Sequence, residues 1–139
     1  MAKKITEVMS SNPCSIDADK PVAYAAVMMK EEDVGLAPIV EGDRLVGTLT
    51  DRDIVTRVVA EGRDPQAVTA REVASTNLVT IDPQQDLDEA LRLMASNQVR
   101  RLPVVQEDGR LVGVVAQADI AREAKDKQTG ELVSEISEG

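Results

Sequence analysis

An internal repeat constrains the fold of this chain more than any other feature, because a segment that occurs twice is expected to fold twice in the same way. The two copies lie 65 residues apart at first and 66 residues apart after one inserted residue in a turn. Three short segments recur in the same order: Ser15–Asp17 and Thr80–Asp82, Pro38–Val40 and Pro103–Val105, Arg44–Gly47 and Arg110–Gly113. The sequence therefore predicts two equivalent structural units.

Each copy predicts the element order β-α-β-β-α, and hence a mixed α/β (α+β) fold of two tandem repeats. Apolar residues at helical spacing predict an amphipathic helix in each copy: Val22, Ala25, Ala26 and Met29, and Leu87, Ala90, Leu91 and Met94. Two short apolar runs around a turn rich in Gly and Asp then predict a hairpin. A second apolar helix follows, carrying Ile54, Val55, Val58 and Val59 in the first copy and Ile120, Ala121 and Ala124 in the second.

The repeat also sets the expected domain boundaries. Residues 1–61 form the first repeat, 62–69 the linker, 70–125 the second repeat and 126–139 a polar C-terminal tail. Gly62 and Pro65 interrupt the preceding helix, and Thr69 is a suitable N-cap for a short helix that enters the second repeat. A unit of about 60 residues buries a small share of its surface, so we expect the two repeats to depend on each other for stability.

Composition excludes several classes of partner. The net charge is −9 and no run of Lys and Arg is long enough to form a basic stripe, which argues against nucleic acid and anionic membranes. No apolar stretch has the length of a membrane span, and the start Met-Ala-Lys-Lys is followed by polar residues, which predicts a cytoplasmic protein. The single cysteine, Cys14, has no partner for an internal disulfide and is expected to be a small buried residue.

A candidate anion site lies where the first hairpin ends and its second helix begins. Thr50 and Asp53 are three residues apart at this junction, where a hydroxyl can donate to a phosphate and a carboxylate can accept from ribose hydroxyls. The same spacing also describes a capping box, in which both side chains bond only to the helix start. Arg100 and Arg101, before Leu102, add two guanidinium groups that either hold a phosphate or form a solvated surface pair.

The doubled pattern of helix, Leu-Pro-Val-Val, Gly-Arg-Leu-Val-Gly and a terminal Asp-Ile resembles a tandem pair of cystathionine-β-synthase (CBS) domains over about residues 5 to 124. The segments Gly47–Ile54 and Gln98–Pro103 are especially similar to short bacterial stand-alone CBS proteins, including hypoxia- and stress-associated ones. The resemblance implies a disc-like pair with pseudo-twofold symmetry, two clefts between the repeats and a homodimer. It also implies that Thr50 holds phosphate, that Asp53 holds ribose and that Arg100 and Arg101 approach the phosphate.

The second cleft implied by the resemblance departs from this pattern. It keeps Asp119 but has Ala116 where the hydroxyl is expected, and Gly35 and Leu36 stand where the other repeat has two arginines. We therefore expect one competent site or none. Three residues are candidates by position for the wall against which a base stacks, and they are equally suited to the core: Ile16, Ala37 and Pro38.

Catalysis is not predicted. The chain has no histidine, and Cys14 has neither a basic partner nor a second cysteine, so nucleophile and zinc constellations are missing. Asp51 and Asp53 are expected to cap and solubilise a helix rather than to bind a cation. No metal site, catalytic residue or required cofactor is therefore predicted.

Two functional hypotheses follow. The first is a regulatory module that senses an adenine nucleotide or adenosyl compound (AMP, ADP, ATP or S-adenosylmethionine) in the cleft and signals to a separate effector protein. The second is a ligand-free CBS dimer that acts as a protein-interaction scaffold in a stress response.

Overall fold

The computed structural model describes residues 3–125. After a 3-10 turn at Ile5–Glu7, the first half contains β1 (Ser10–Ser11), β2 (Ile16–Asp17), α1 (Val22–Glu32), β3 (Leu36–Glu41), β4 (Arg44–Thr50) and α2 (Asp51–Ile54), which continues as π-helix over Val55–Val59. The second half contains α3 (Ala70–Val73), α4 (Leu87–Asn97), β5 (Arg101–Val105), β6 (Leu111–Ala116) and helical residues 117–125, called α5 here. The predicted tandem fold is confirmed, although the first strand of the second repeat is reduced to one parallel bridge between Ile81 and Val104.

Two three-stranded sheets form, with orders β2-β3-β4 and β1-β6-β5. β2 runs parallel to β3, and the two hairpins β3-β4 and β5-β6 are antiparallel. β1 belongs to the first half but pairs with β6 of the second, with Ser10 opposite Val114. At the equivalent place, the Ser75 and Thr48 backbones exchange hydrogen bonds of 2.8 and 3.0 Å. Each half therefore contributes its leading segment to the sheet of the other half.

This exchange obeys a pseudo-twofold symmetry that can be read from the backbone pairing. Two isolated bridges lie at equivalent positions: Lys4 with Asp86, and Thr69 with Pro21. Arg44 and Arg110 are themselves equivalent and bridge each other. Leu45 N–H donates to Gly109 O at 3.1 Å, and its counterpart Leu111 N–H donates to Asp43 O at 2.9 Å. The pseudo-axis therefore passes between the two hairpin turns.

The core consists of two aliphatic clusters, and each contains residues from both halves. The first contains Ile16, Ala18, Val22, Ala25, Met29, Ala37, Ile39, Leu49, Val58, Val68, Ala70 and Val73. The second contains Ile5, Ile81, Ala90, Met94, Leu102, Val104, Val115 and Ile120. Ile5 is fully buried in the core of the second half, while Val68, Ala70 and Val73 complete the core of the first. The linker and the start of the second repeat thus pack on the first half, because each sheet leaves an apolar face that its own repeat does not cover.

Two equivalent glycines permit the exchanged segments to lie close to the sheets. A Cβ added at Gly113 would lie 2.9 Å from Ser10 O, and one added at Gly47 would lie 2.9 Å from the Ala74 Cβ. Real Cβ atoms do not approach other atoms this closely, so any larger residue would push the segment away. The Leu-Val-Gly motif recurs because both hairpins need this close approach.

The predicted helix faces are partly corrected. Ala26 and Leu91 were expected in the apolar stripes, but both are exposed, because each helix packs on one side of a small sheet and buries only a narrow stripe. Thr69 caps α3 as predicted, with its Oγ1 accepting from Glu72 N–H at 3.3 Å. No helix among residues 3–125 combines the length and apolar character needed to cross a bilayer.

Candidate functional site

A cleft of about 830 Å³ lies between the two halves and is lined by equivalent segments of both. The first half contributes Asp33, Val34, Gly35, Leu36, Thr50 and Asp51, and the second contributes Gln98, Val99, Arg100, Arg101, Ala116, Gln117, Ala118 and Ala121. Each wall therefore consists of the segment that joins a helix to a strand, together with the start of the following helix.

The helix-to-strand segments are fixed by left-handed caps. α1 is followed by Asp33 and α4 by Gln98, both with φ of 54°, a conformation that few residues other than Gly and Asn adopt at a helix end. Val34 N–H and its counterpart Val99 N–H each donate at 3.0 Å to a carbonyl five residues earlier. These bonds turn the chain sharply at the edge of the cleft.

Each helix start is tied to the neighbouring segment by a matching backbone bond. Asp51 N–H donates to Gly35 O at 3.1 Å, and Gln117 N–H donates to Arg100 O at 2.8 Å. The two bonds are equivalent under the repeat. They hold Thr50 and Ala116 at the cleft surface. The two walls therefore have the same backbone arrangement and differ in their side chains.

Thr50 lines the cleft, but Asp53 does not. The Thr50 Oγ1 accepts from Asp53 N–H at 3.1 Å, and the Asp53 carboxylate accepts from Thr50 N–H at 2.9 Å. Arg57 lies 3.4 Å from the other carboxylate oxygen of Asp53. The capping-box interpretation of these residues is thus realised, while the Thr50 hydroxyl proton remains available to a ligand. A ribose contact by Asp53 stays a prediction.

Arg100 and Arg101 both line the cleft, as does Thr50, so three of the predicted site residues meet there. Neither guanidinium hydrogen-bonds or forms an ion pair with any part of residues 3–125. Asp33 and Asp51 lie on the wall of the other half. The cleft therefore carries acidic groups on one wall and two unpaired cationic groups on the other.

The remaining predicted site residues lie outside the cleft. Asp119 lies behind the start of α5, where its carboxylate accepts from Ala116 N–H at 3.4 Å and lies 3.6 Å from Arg122. Ile16, Ala37 and Pro38 are buried in or beside the first core cluster, and none of the three lines the cleft. A base-stacking role for them remains a prediction that would require them to become accessible.

Cys14 was expected to be buried, and it is exposed. A hydrogen bond with Glu32, reinforced by slight desolvation of the thiol and by the negative charge of Glu32, raises the pKa of the thiol above the ordinary value. Because the thiolate is the reactive form, this environment disfavours nucleophilic chemistry at Cys14.

Sequence reasoning missed four polar cleft residues: Asp33, Asp51, Gln98 and Gln117. Asp51 was expected only to cap and solubilise a helix. Asp33 and Gln98 occupy equivalent helix ends. A glycine at either position would have indicated a turn from the sequence, whereas Asp and Gln do not. The repeat offset applied to Thr50 gives position 116, next to Gln117, and applied to the two arginines it gives positions 35 and 36, close to Asp33. That offset was the signal available for finding them.

The CBS domain family model matches residues 5–60 and 70–126. The chain belongs to the CBS domain family. Tandem pairs of these domains are regulatory modules. Hypoxic response protein 1 of Mycobacterium tuberculosis is 39% identical over 131 residues, which cover 94% of this chain and 91% of that protein.

Two solved structures extend the comparison. A crystal structure of Hypoxic Response Protein I with two coordinated zinc ions has a TM-score of 0.80 at 40% identity, covering 86% of this chain and 98% of that one. The CBS domain pair of protein MJ0100, in complex with 5′-methylthioadenosine and S-adenosyl-L-methionine, has a TM-score of 0.78 at 25% identity, covering 91% and 98%.

The zinc ions belong to the relative. This chain contains no histidine, and residues 3–125 hold no group of three Cys, Asp or Glu side chains arranged to bind a metal ion. The absence of a metal site therefore stays a prediction for the chain.

Proposed function

We propose that this chain is a regulatory sensor that binds an adenine nucleotide or adenosyl compound in the cleft between its two CBS repeats. The observation that carries the proposal is the pair of unpaired guanidinium groups, Arg100 and Arg101, in the same cleft as the Thr50 hydroxyl. The complex of the MJ0100 pair with two adenosyl compounds supports the ligand class.

The chemistry of the cleft favours a phosphate group on the ligand. Unpaired guanidinium groups form bidentate, charge-assisted hydrogen bonds to phosphate oxygens, and the Thr50 hydroxyl adds a third donor group. The volume of about 830 Å³ lies within the usual range for small-molecule sites. Of the four candidate ligands, AMP, ADP and ATP carry the phosphate groups that Arg100 and Arg101 can bind, and S-adenosylmethionine does not.

Signalling follows from the position of the cleft. A ligand that contacts both walls stabilises one relative arrangement of the halves, and the shift equals its difference in affinity between arrangements. The response is then read by a separate effector protein, in the cytoplasm. No cofactor or catalytic step is invoked.

The test is a thermal-shift series with each of the four ligands on the wild type and on the double variant Arg100→Gln/Arg101→Gln. A ligand that binds the folded state raises Tm with concentration. Loss of charge-assisted bonds worth about 1.5–3 kcal/mol weakens nucleotide binding by roughly 10- to 100-fold. Arg44→Gln removes one positive charge outside the cleft and should retain binding. Flat curves with all four ligands at millimolar concentration would overturn the proposal.

A second candidate, a ligand-free interaction scaffold, is favoured by the contacts of Asp53, whose two carboxylate oxygens face Thr50 N–H and Arg57. The variant Asp53→Ala separates the two. If Asp53 only caps the helix, Asp53→Ala should lower stability by about 0.5–2 kcal/mol and leave ligand affinity unchanged. If Asp53 binds the ribose, Asp53→Ala should lose more binding free energy than folding stability.

A further inference from the structure

Arg57, on the π-helical continuation of α2, links the helix that begins at the cleft to the segment that crosses between the two halves. Its Nη2 lies 3.4 Å from the Asp53 carboxylate. Its Nη1 donates at 2.8 Å to the carbonyl of Val73 and at 3.1 Å to the hydroxyl oxygen of Ser75. One planar guanidinium therefore holds a residue of the candidate site and the exchanged segment at the same time, because its donors point in fixed and different directions.

These contacts close a ring of bonds that begins and ends at Thr50. The Asp53 carboxylate accepts from Thr50 N–H at 2.9 Å. Beyond Arg57, the Ser75 backbone donates to Thr48 O at 2.8 Å and accepts from Thr48 N–H at 3.0 Å. Thr48 and Thr50 belong to the same strand, β4. A displacement of Thr50 or Asp53 at the helix start therefore reaches the exchanged segment by two routes, along β4 and through Arg57.

The second half has a different residue at the position of this arginine. The repeat offset places Glu123 at the position of Arg57, and Val8 at the position of Val73. An ionised carboxylate has no hydrogen to donate, so Glu123 cannot reproduce the bond from Arg57 to a carbonyl of the exchanged segment. Glu123 pairs instead with Lys3 at 2.6 Å. Both halves exchange their segments, so the arginine link is not a requirement of the shared backbone.

The helix that carries Arg57 also changes its hydrogen-bonding pattern there. From Val55 to Val59 the chain is π-helix, with Ala60 N–H donating to Val55 O at 2.8 Å. The equivalent helix α5 is α-helical throughout residues 117–125. A π-helical turn is rare in proteins and occurs often at functional positions. This difference between the halves and the arginine therefore fall on the same turn of the same helix.

We infer that Arg57 is a positioning residue that couples occupancy of the cleft to the exchanged segment around Ser75. Coupling to a ligand rests on the proposed function, whereas the link between Asp53 and Ser75 is present without one. A ligand bound at Thr50 fixes the helix start, and Arg57 passes that restraint to the Ser75 backbone. Because this segment joins the two repeats, occupancy of the cleft then controls how firmly the repeats are held together.

The link is tested first in the ligand-free chain, by amide hydrogen exchange at Ser75 measured relative to Val115 in the other sheet. Asp53→Asn keeps an oxygen for Thr50 N–H but weakens the ion pair with Arg57. It should speed exchange at Ser75 by about two- to fivefold, the range expected for a partly exposed ion pair. In an Arg57→Gln background the same change should add nothing, because the link is already broken. Equal acceleration in both backgrounds, or none in either, would overturn the inference.

Two further variants guard this measurement. Arg52→Gln removes a positive charge from the same helix outside the ring and should leave exchange at Ser75 unchanged. Acceleration by Arg52→Gln equal to that by Arg57→Gln would show a general effect of charge and would contradict the link. If circular dichroism shows that Arg57→Gln does not fold, Arg57→Lys takes its place, because it keeps the charge but lacks the fork of donors.

The coupling is then tested with AMP, ADP and ATP as probes. A saturating nucleotide should slow exchange at Ser75 of the wild type by at least about threefold and leave its counterpart Ser10 unchanged. Arg57→Gln should still bind the nucleotide through Arg100 and Arg101 but lose the slowing at Ser75. Equal slowing in both proteins would overturn the coupling. Failure of all three nucleotides to bind the wild type would count against the proposed function, and the ligand-free exchange would still decide the link.

Discussion

The two halves of this protein are alike where they hold the fold together and different where they face a ligand or the solvent. Both insert a leading segment into the other half, and both use a glycine, Gly47 or Gly113, to let that segment approach. Both end their first helix with a left-handed residue at the cleft. At the cleft surface, however, the counterpart of Thr50 is Ala116, and on the outer surface of the helix the counterpart of Tyr24 is Glu89.

This contrast separates two kinds of constraint on one backbone. Positions that pack against the pseudo-twofold partner are subject to the same geometry twice, so the two copies carry similar residues there. Positions that face the cleft or solvent are not coupled by that geometry. Differences between the copies therefore indicate function, and similarities indicate folding.

The largest predicted effect concerns the exchanged segments. Ile5→Ala removes a fully buried side chain from the core of the second half and should lower the free energy of unfolding by about 2–5 kcal/mol. Ile5→Val should cost about 0.5–1.5 kcal/mol. Urea denaturation measures both, with the exposed position Leu78→Ala as control. Because each core contains residues of both halves, hydrogen exchange should show both sheets losing protection together.

Loss of protection confined to β5 and β6 in Ile5→Ala would contradict this mutual dependence. A fragment of residues 1–65 gives a second test. It lacks Val68, Ala70 and Val73, which complete the first core, and should not fold as a stable monomer.

A smaller effect is expected from exchanging the residues at the two cleft walls. Thr50→Ala removes the cap of α2 and should cost about 1 kcal/mol, whereas Thr50→Ser should retain the bond to Asp53 N–H. Ala116→Thr introduces the same hydroxyl before α5, near Asp119, and should stabilise the chain by a fraction of that amount. Thermal denaturation of the three variants tests the comparison. Destabilisation by Ala116→Thr would show that the second wall cannot accept the hydroxyl.

The smallest effect is an acid pH dependence at the ion pair of Glu89 and Arg92 in the second half. The hydrogen bond from Arg92 lowers the pKa of Glu89 below its ordinary value of 4.5. A lowered folded-state pKa gives stability that is present above the unfolded-state pKa and is lost as pH falls through the folded value. Glu89→Gln should remove this contribution at neutral pH and change little in strong acid, where the wild-type carboxyl is already protonated. NMR titration of the Glu89 carboxyl checks it, and an unshifted midpoint would contradict the ion pair.

Most of the fold was accessible from the sequence because the repeat doubled every signal. The hairpins, the apolar helices and the Thr69 cap lie where the pattern placed them. The exposed Ala26 and Leu91 were assigned to the core because helical periodicity gives the direction of an apolar stripe but not its width. That width depends on how much of the helix the sheet covers, which is a property of packing.

The site was accessible only in part. Thr50, Arg100 and Arg101 were chosen for their chemistry, and all three line the cleft. Asp53 was also chosen for its chemistry, but a local capping bond holds its carboxylate away from the cleft surface. Ile16, Ala37 and Pro38 were assigned by position along the chain and lie in or beside the core. A local pattern does not distinguish a side chain that turns toward a cleft from one that turns toward its own backbone.

The sequence by itself determined the duplication, the order of elements, the aliphatic character of the core and the side chains that make the halves unequal. Those properties depend on residues near one another in the chain or on a comparison of two copies. Only the tertiary structure decided that Ile5 completes the second core and that Val73 completes the first. Only it decided that the segments around Asp33 and Gln98 face one cleft. These outcomes arise because apolar faces left uncovered by one repeat are buried by the other, and that choice depends on packing over a long sequence separation.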